Sequence, residues 1–99
     1  MNASEAIAEL KSLGFETWQT GGGCTALGLA LPDNKEILVT DGEDGGGQPT
    51  EESTWLMVGL RDTDSGDEIE CESRDFEASL ARVRWLVEKF NPEPMTPGV

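Results

Sequence analysis

Apolar and polar positions along the chain follow two rhythms. Near the start, Ile7, Leu10 and Leu13 recur at helical spacing, with Glu5, Glu9 and Lys11 turned outward. Asn2 with Glu5, or Ser4 alone, can cap this helix, and Gly14 is a natural stop. From Phe15 to Leu31 the period shortens to that of a strand. Phe15, Thr17, Trp18 and Thr20 are aromatic or β-branched, and Gly21 to Gly23 can reverse the chain. A three-residue glycine loop sets Thr20 against Cys24, Trp18 against Ala26 and Phe15 against Leu29. One face then holds Phe15, Leu27, Leu29 and Leu31. The other holds Trp18 above Ala26, Gly28 and Ala30, a large ring covering backbone that small residues leave bare.

Pro32 to Lys35 is turn chemistry, and Glu36 to Asp41 reads as a third strand. A four-residue turn places Ala30 opposite Ile37 and Leu29 opposite Leu38. Ile37 and Val39 then share a face with Trp18. Both faces of the sheet become apolar, so either helices cover both or one face meets a partner. Thr54 to Leu60 is a near-continuous apolar run and predicts a central strand. Glu68 to Glu72 alternates strictly. Ile69 and Cys71 are expected inward, with Glu68, Glu70 and Glu72 forming a carboxylate ladder on the wet side, which can also guard an edge. Ser73 is placed to cap a last helix. Its stripe is Phe76, Leu80, Val83, Val87 and Phe90, widened by Trp85 and Leu86, and Asn91-Pro92 ends it. The expected fold is α+β: a mainly antiparallel five-stranded sheet between an N-terminal and a C-terminal helix, in the order αβββββα. Residues 1–91 form one domain, and 92–99, with three prolines, a disordered tail.

The string Trp18-Gln19-Thr20-Gly21-Gly22-Gly23-Cys24-Thr25-Ala26-Leu27, followed by the strand Ile37-Leu38-Val39-Thr40-Asp41, resembles small uncharacterised proteins encoded by bacteriophages and their bacterial hosts. The likeness covers about Trp18 to Asp41. It implies a phage or prophage setting and brings no catalytic residues with it.

Charge sharpens the functional expectation. The net charge is −13, and no histidine is present. Residues 41–77 hold thirteen acids against two arginines. Phosphate contacts need lysine and arginine, so direct nucleic-acid binding is disfavoured, as is an anionic membrane. A basic protein partner is favoured through long-range attraction. The missing histidine removes the usual near-neutral proton shuttle, and no catalytic constellation takes its place, so an enzyme is not expected. The three glycines lack the lysine and helix start of a phosphate-binding loop. Cys24 and Cys71 fit no metal spacing and are expected as free thiols, in keeping with a cytoplasmic protein without a signal segment.

These features predict a small acidic, non-enzymatic binding protein of phage type that needs no cofactor. It would act on a basic host protein, such as a defence or nucleic-acid-binding protein, by presenting carboxylates where phosphates would sit. Side chains on one strand face recur about every 6.6 Å, of the order of phosphate spacing. Asp62, Asp64, Glu68, Glu70 and Glu72 form the expected contact set. Two alternatives stand beside this one. Asp41, Glu43, Gly46 and Glu52 occupy positions 1, 3, 6 and 12 of a calcium-loop pattern, although Gly45 and Pro49 offer no side-chain oxygen at positions 5 and 9. Otherwise the chain is a structural protein that homodimerises through the Trp18, Ile37, Val39 face.

Overall fold

A computed structural model describes residues 1–43 and 47–90. The chain runs α1 (Ala3–Ser12), β1 (Glu16–Gly21), β2 (Cys24–Leu31), β3 (Lys35–Asp41), β4 (Leu56–Asp62), β5 (Glu68–Arg74) and α2 (Phe76–Phe90). The strands pair in sequence order and all neighbours are antiparallel, so the α+β order αβββββα holds. The tail expected over 92–99 lies outside the described residues.

Local chemistry sets the element ends. Asn2 Oδ1 accepts from Glu5 N at 2.8 Å, and Glu5 Oε1 accepts from Asn2 N at 2.9 Å. This reciprocal pair closes the first turn of α1. The cap of α2 is Asp75, whose Oδ1 accepts from Ala78 N at 2.8 Å. Ser73, the expected cap, is instead part of β5. The β1–β2 turn is two residues long, Gly22 and Gly23, with φ of 61° and 81°. Both turn positions need positive φ, as a tight hairpin matched to strand twist requires. Gly21 pairs with Cys24, and a bulge falls between Gln19 and Gly21. The predicted three-residue loop is thus one residue too long, while the pairing of Trp18 with Ala26 stands.

The β2–β3 turn moves the register. It holds three residues, Pro32 to Asn34, because Asp33 and Asn34 both take positive φ, at 61° and 59°. Short polar side chains tolerate that region. Leu29 therefore faces Ile37, and Gly28 faces Leu38. A one-residue change of register exchanges the faces of a whole strand. Ile37 and Val39 consequently join Leu27, Leu31, Leu56, Val58 and Leu60 in the core, both 0% exposed. They do not share a face with Trp18.

Both helices lie on this one face. Ala6 and Leu10 from α1, and Leu80, Val83 and Leu86 from α2, complete a single core with Phe15. The two helices touch each other, and α2 rests mainly on β4. Among the described residues no helix lies on the opposite face, so both helices of the αβββββα order share one side of the sheet. Trp85, expected to widen the α2 stripe, is 46% exposed instead. Its ring stacks between Arg82 and Lys89, 4.4 and 4.6 Å from its centroid.

The β3–β4 connection is fastened at its described residues rather than loose. Ser53 is buried, donates to Asp41 Oδ2 at 3.0 Å and accepts from Thr50 N at 3.0 Å. Pro49 is buried, and Gly42 N donates to Trp55 O at 2.9 Å.

The register makes opposite demands on neighbours. Ile37→Ala should destabilise the protein by about 2–5 kcal/mol, as truncation of a core residue does, and Leu38→Ala by clearly less. Urea unfolding midpoints measure both; the reverse order would place β3 one residue out.

Candidate functional site

The uncovered face is built by alternate residues of all five strands. Trp18 stands on β1 beside Ala26 and Gly28 of β2, followed by Leu38 and Thr40 of β3, Met57 and Gly59 of β4, and Cys71 of β5. The Trp18 ring lies flat on Gly28. A Cβ there would sit 2.1 Å from ring carbon Cε3, so only glycine admits this contact. Ala26 is buried beside it, whereas Leu38 and Met57 remain half-exposed. Between them runs a shallow trough of about 140 Å³, bordered by Thr20 at one end and by Glu68 and Cys71 at the other. Arg61 and Glu36 close one flank as an ion pair at 2.5 Å.

The register of β5 reverses the expected ladder. Val58 faces Glu72 and Leu60 faces Glu70, so these two glutamates lie on the helix side. Glu70 is ion-paired with Arg82 of α2, and Glu72 with Arg74. An alternating strand is symmetric in sequence, and packing decides which half is covered. Here β5 lies under the polar flank of α2, where a carboxylate finds a guanidinium and an isoleucine would find none of the core. Ile69 sits at a bulge and is 49% exposed, and Cys71 is exposed on the open face.

Of the expected contact set, Glu68 alone lies at the trough. Its Oε2 folds over Gly59, 3.4 Å from where a Cβ would stand. Asp62 and Asp64 occupy the β4–β5 turn at the sheet end. Asp62 Oδ1 accepts from Asp64 N and Ser65 N at 2.8 and 3.3 Å, and Lys35 lies 3.5 Å from Oδ2. Asp64 Oδ2 accepts from Asn34 Nδ2 at 2.9 Å, tying this turn to the β2–β3 turn. The five carboxylates are thus spread over three surfaces. Leu38, Met57, Gly59 and Cys71 escaped the sequence reading. Asp33-Asn34, a pair suited to positive φ, was the signal for the shorter turn that would have found Leu38.

The calcium-loop residues are occupied separately. Asp41 Oδ1 accepts from Glu43 N at 2.8 Å and its Oδ2 from Ser53, while Glu43 Oε2 accepts from Thr54 Oγ1 at 3.1 Å. Glu52 is exposed, and its N–H donates to Thr50 Oγ1 at 3.2 Å. Among the described residues no group of three acids or cysteines could hold a metal ion. Gly46 lies outside the described residues.

The Asp62 carboxyl and the Cys71 thiol titrate away from their ordinary values. The backbone N–H groups of Asp64 and Ser65 hold the Asp62 carboxyl below 3.8, against a slight loss of solvation and with Lys35 assisting. Partial burial raises the Cys71 thiol above 9.0, followed by the charge and hydrogen bond of Glu68 and the charge of Glu72. Comparison with protein-family models, curated proteins and solved structures finds no match.

A lowered carboxyl stabilises the fold fully above its ordinary value and loses that contribution as pH falls through the lowered one. Melting temperatures measured from pH 5 downward should therefore fall less steeply in Asp62→Asn than in the wild type. Equal slopes would mean that the turn does not favour the ionised form. For Cys71, a raised value leaves little thiolate at pH 8. Its alkylation by iodoacetamide, followed by mass spectrometry, should accelerate in Glu68→Gln. An unchanged rate would separate the thiol from that carboxylate.

Proposed function

We propose that this protein is a non-enzymatic binding protein that docks a basic protein partner on its uncovered sheet face. The carrying observation is that face itself: five strands wide, with Leu38 and Met57 at its centre, Trp18 beside them on β1 and no helix over it among the described residues. A contiguous apolar surface rimmed by polar groups is characteristic of protein interfaces. A net charge of −13 favours a basic partner and speeds its approach. The phage-type resemblance of Trp18 to Asp41 supports a host protein as that partner, met in the cytoplasm.

Apolar contact and carboxylates have different tasks in this reading. The centre of the face supplies contact area. Asp62 and Asp64 at the sheet end, and Glu68 at the trough, supply steering and register. Glu70 and Glu72 are engaged by Arg82 and Arg74 and contribute only to the long-range field. A self-associating sheet face, centred on Trp18 and Leu38 in place of Ile37 and Val39, is disfavoured by the repulsion between two copies of the same negative charge.

Leu38→Asp tests the proposal, because it adds negative charge while spoiling the apolar centre. With the protein as bait in host lysate, a basic partner should be captured at low salt and released near 0.5 M salt, where the screening length is several-fold shorter than at low salt. Leu38→Asp, folded as judged by its melting curve, should lose the same partner. Capture that persists or tightens in Leu38→Asp would mean that charge alone holds the partner and that the face is idle.

A further inference from the structure

We infer that the trough on the uncovered face is a socket for one arginine or lysine side chain of the docked partner, with Glu68 as its counter-ion. This rests on the binding reading above and gives the occupant a chemistry. Three observations converge on it. The first is the placement of Glu68. An exposed glutamate would ordinarily extend into water, yet this carboxylate lies over Gly59, on the sheet. Its immediate surroundings are the Gly59 backbone and Cys71, with Arg61, held by Glu36, opposite it across β4–β5 and with Leu38 and Met57 along the same trough.

The second is charge. Arg61, Arg74, Arg82, Arg84 and Lys35 are each committed to another carboxylate: Glu36, Glu72, Glu70, Glu9 and Asp62. Glu68 belongs to none of these five pairs among the described residues. Its neighbour is a thiol, a weak donor that stays protonated beside it. A cation delivered from outside would therefore meet a carboxylate that hydrogen-bonds a weak thiol donor and that belongs to none of these five ion pairs.

The third is shape. The trough is narrow, about 140 Å³, and mostly apolar along its length. That suits a side chain with an aliphatic stem and a charged head, because the stem can lie on Leu38 and Met57 while the head reaches the carboxylate. A purely apolar side chain would leave Glu68 covered and unpaired, which is costly. An acidic one would face like charge. The socket thus selects for a cation within an interface whose wider surface is apolar.

N-acetyl-arginine amide is the probe, and the uncharged isostere N-acetyl-citrulline amide is its control. Both are titrated into the intact 15N-labelled protein and followed by amide chemical shifts. The arginine compound should shift Leu38, Gly59 and Cys71 in a saturating manner, and the citrulline compound should not. Glu68→Gln should weaken the arginine response by roughly tenfold or more, the worth of one hydrogen bond to a charged group. Glu51→Gln, on the far side of the fold, should leave it unchanged. Arginine shifts spread over the acidic turns and indifferent to Glu68→Gln would overturn the socket, as would equal responses to arginine and citrulline. Loss of the socket with the Leu38→Asp result intact would leave the docking face standing without it. Failure of the Leu38→Asp test with a specific arginine response would do the reverse.

Discussion

A five-stranded sheet has two faces, and the two helices among the described residues pack together on one of them. Everything else follows from which face they take. Leu27, Leu31, Ile37, Val39, Leu56, Val58 and Leu60 form an apolar surface broad enough to receive α1 and α2 side by side. Once they are seated, no element among the described residues covers the back of the sheet. Thr20, Glu36, Thr40, Arg61 and Glu68 stand on that back, yet its middle is less polar than that of a solvated antiparallel face. It is instead lined by a tryptophan laid on glycine and by half-exposed aliphatic side chains. Trp18 partly resolves the conflict by covering Gly28 with its own ring.

The order and type of elements were legible because periodicity alone fixes them. Ile7, Leu10 and Leu13 could only be read at helical spacing, and Leu27, Leu29 and Leu31 only at strand spacing. Face assignment was legible within the first hairpin, where Trp18 against Ala26 held despite a turn shorter than expected. It failed at the next turn. A strand has a side-chain period of two, so one residue more or less in Pro32–Asn34 exchanges Ile37 and Val39 for Leu38. The composition of β3 does not record which, since both alternatives place apolar residues together. The same degeneracy misled the reading of β5, where Glu-Ile-Glu-Cys-Glu fits either orientation. Its answer lay in Arg82, twelve residues away on another element and invisible to a local pattern. The candidate site inherits these errors: Glu68 and Trp18 were assigned to different surfaces, and Leu38 and Met57, which lie between them on one face, were not singled out.

Much of the acid concentrated in residues 41–77 has a local task. Asp62 and Asp75 accept backbone N–H groups at a turn and at a helix start, Asp41 binds Ser53, and Glu70 and Glu72 each hold an arginine. Exposed pairs of this kind contribute little each, about 0–1 kcal/mol. Their greater effect is to leave the protein with few unengaged cations against its net charge of −13.

The tryptophans carry a consequence of the one-sided core. Trp55 and Trp85 are each 46% exposed, and Trp18 lies half-buried on the uncovered face. None is part of the core, which is assembled from aliphatic residues and Phe15. The intrinsic fluorescence of this protein is therefore a property of its surface. Trp55 and Trp85 already meet water over nearly half of their surface, so unfolding changes their surroundings less than it would those of a buried indole. Covering the face on which Trp18 lies would dry that ring and alter its colour while the fold stays as it is.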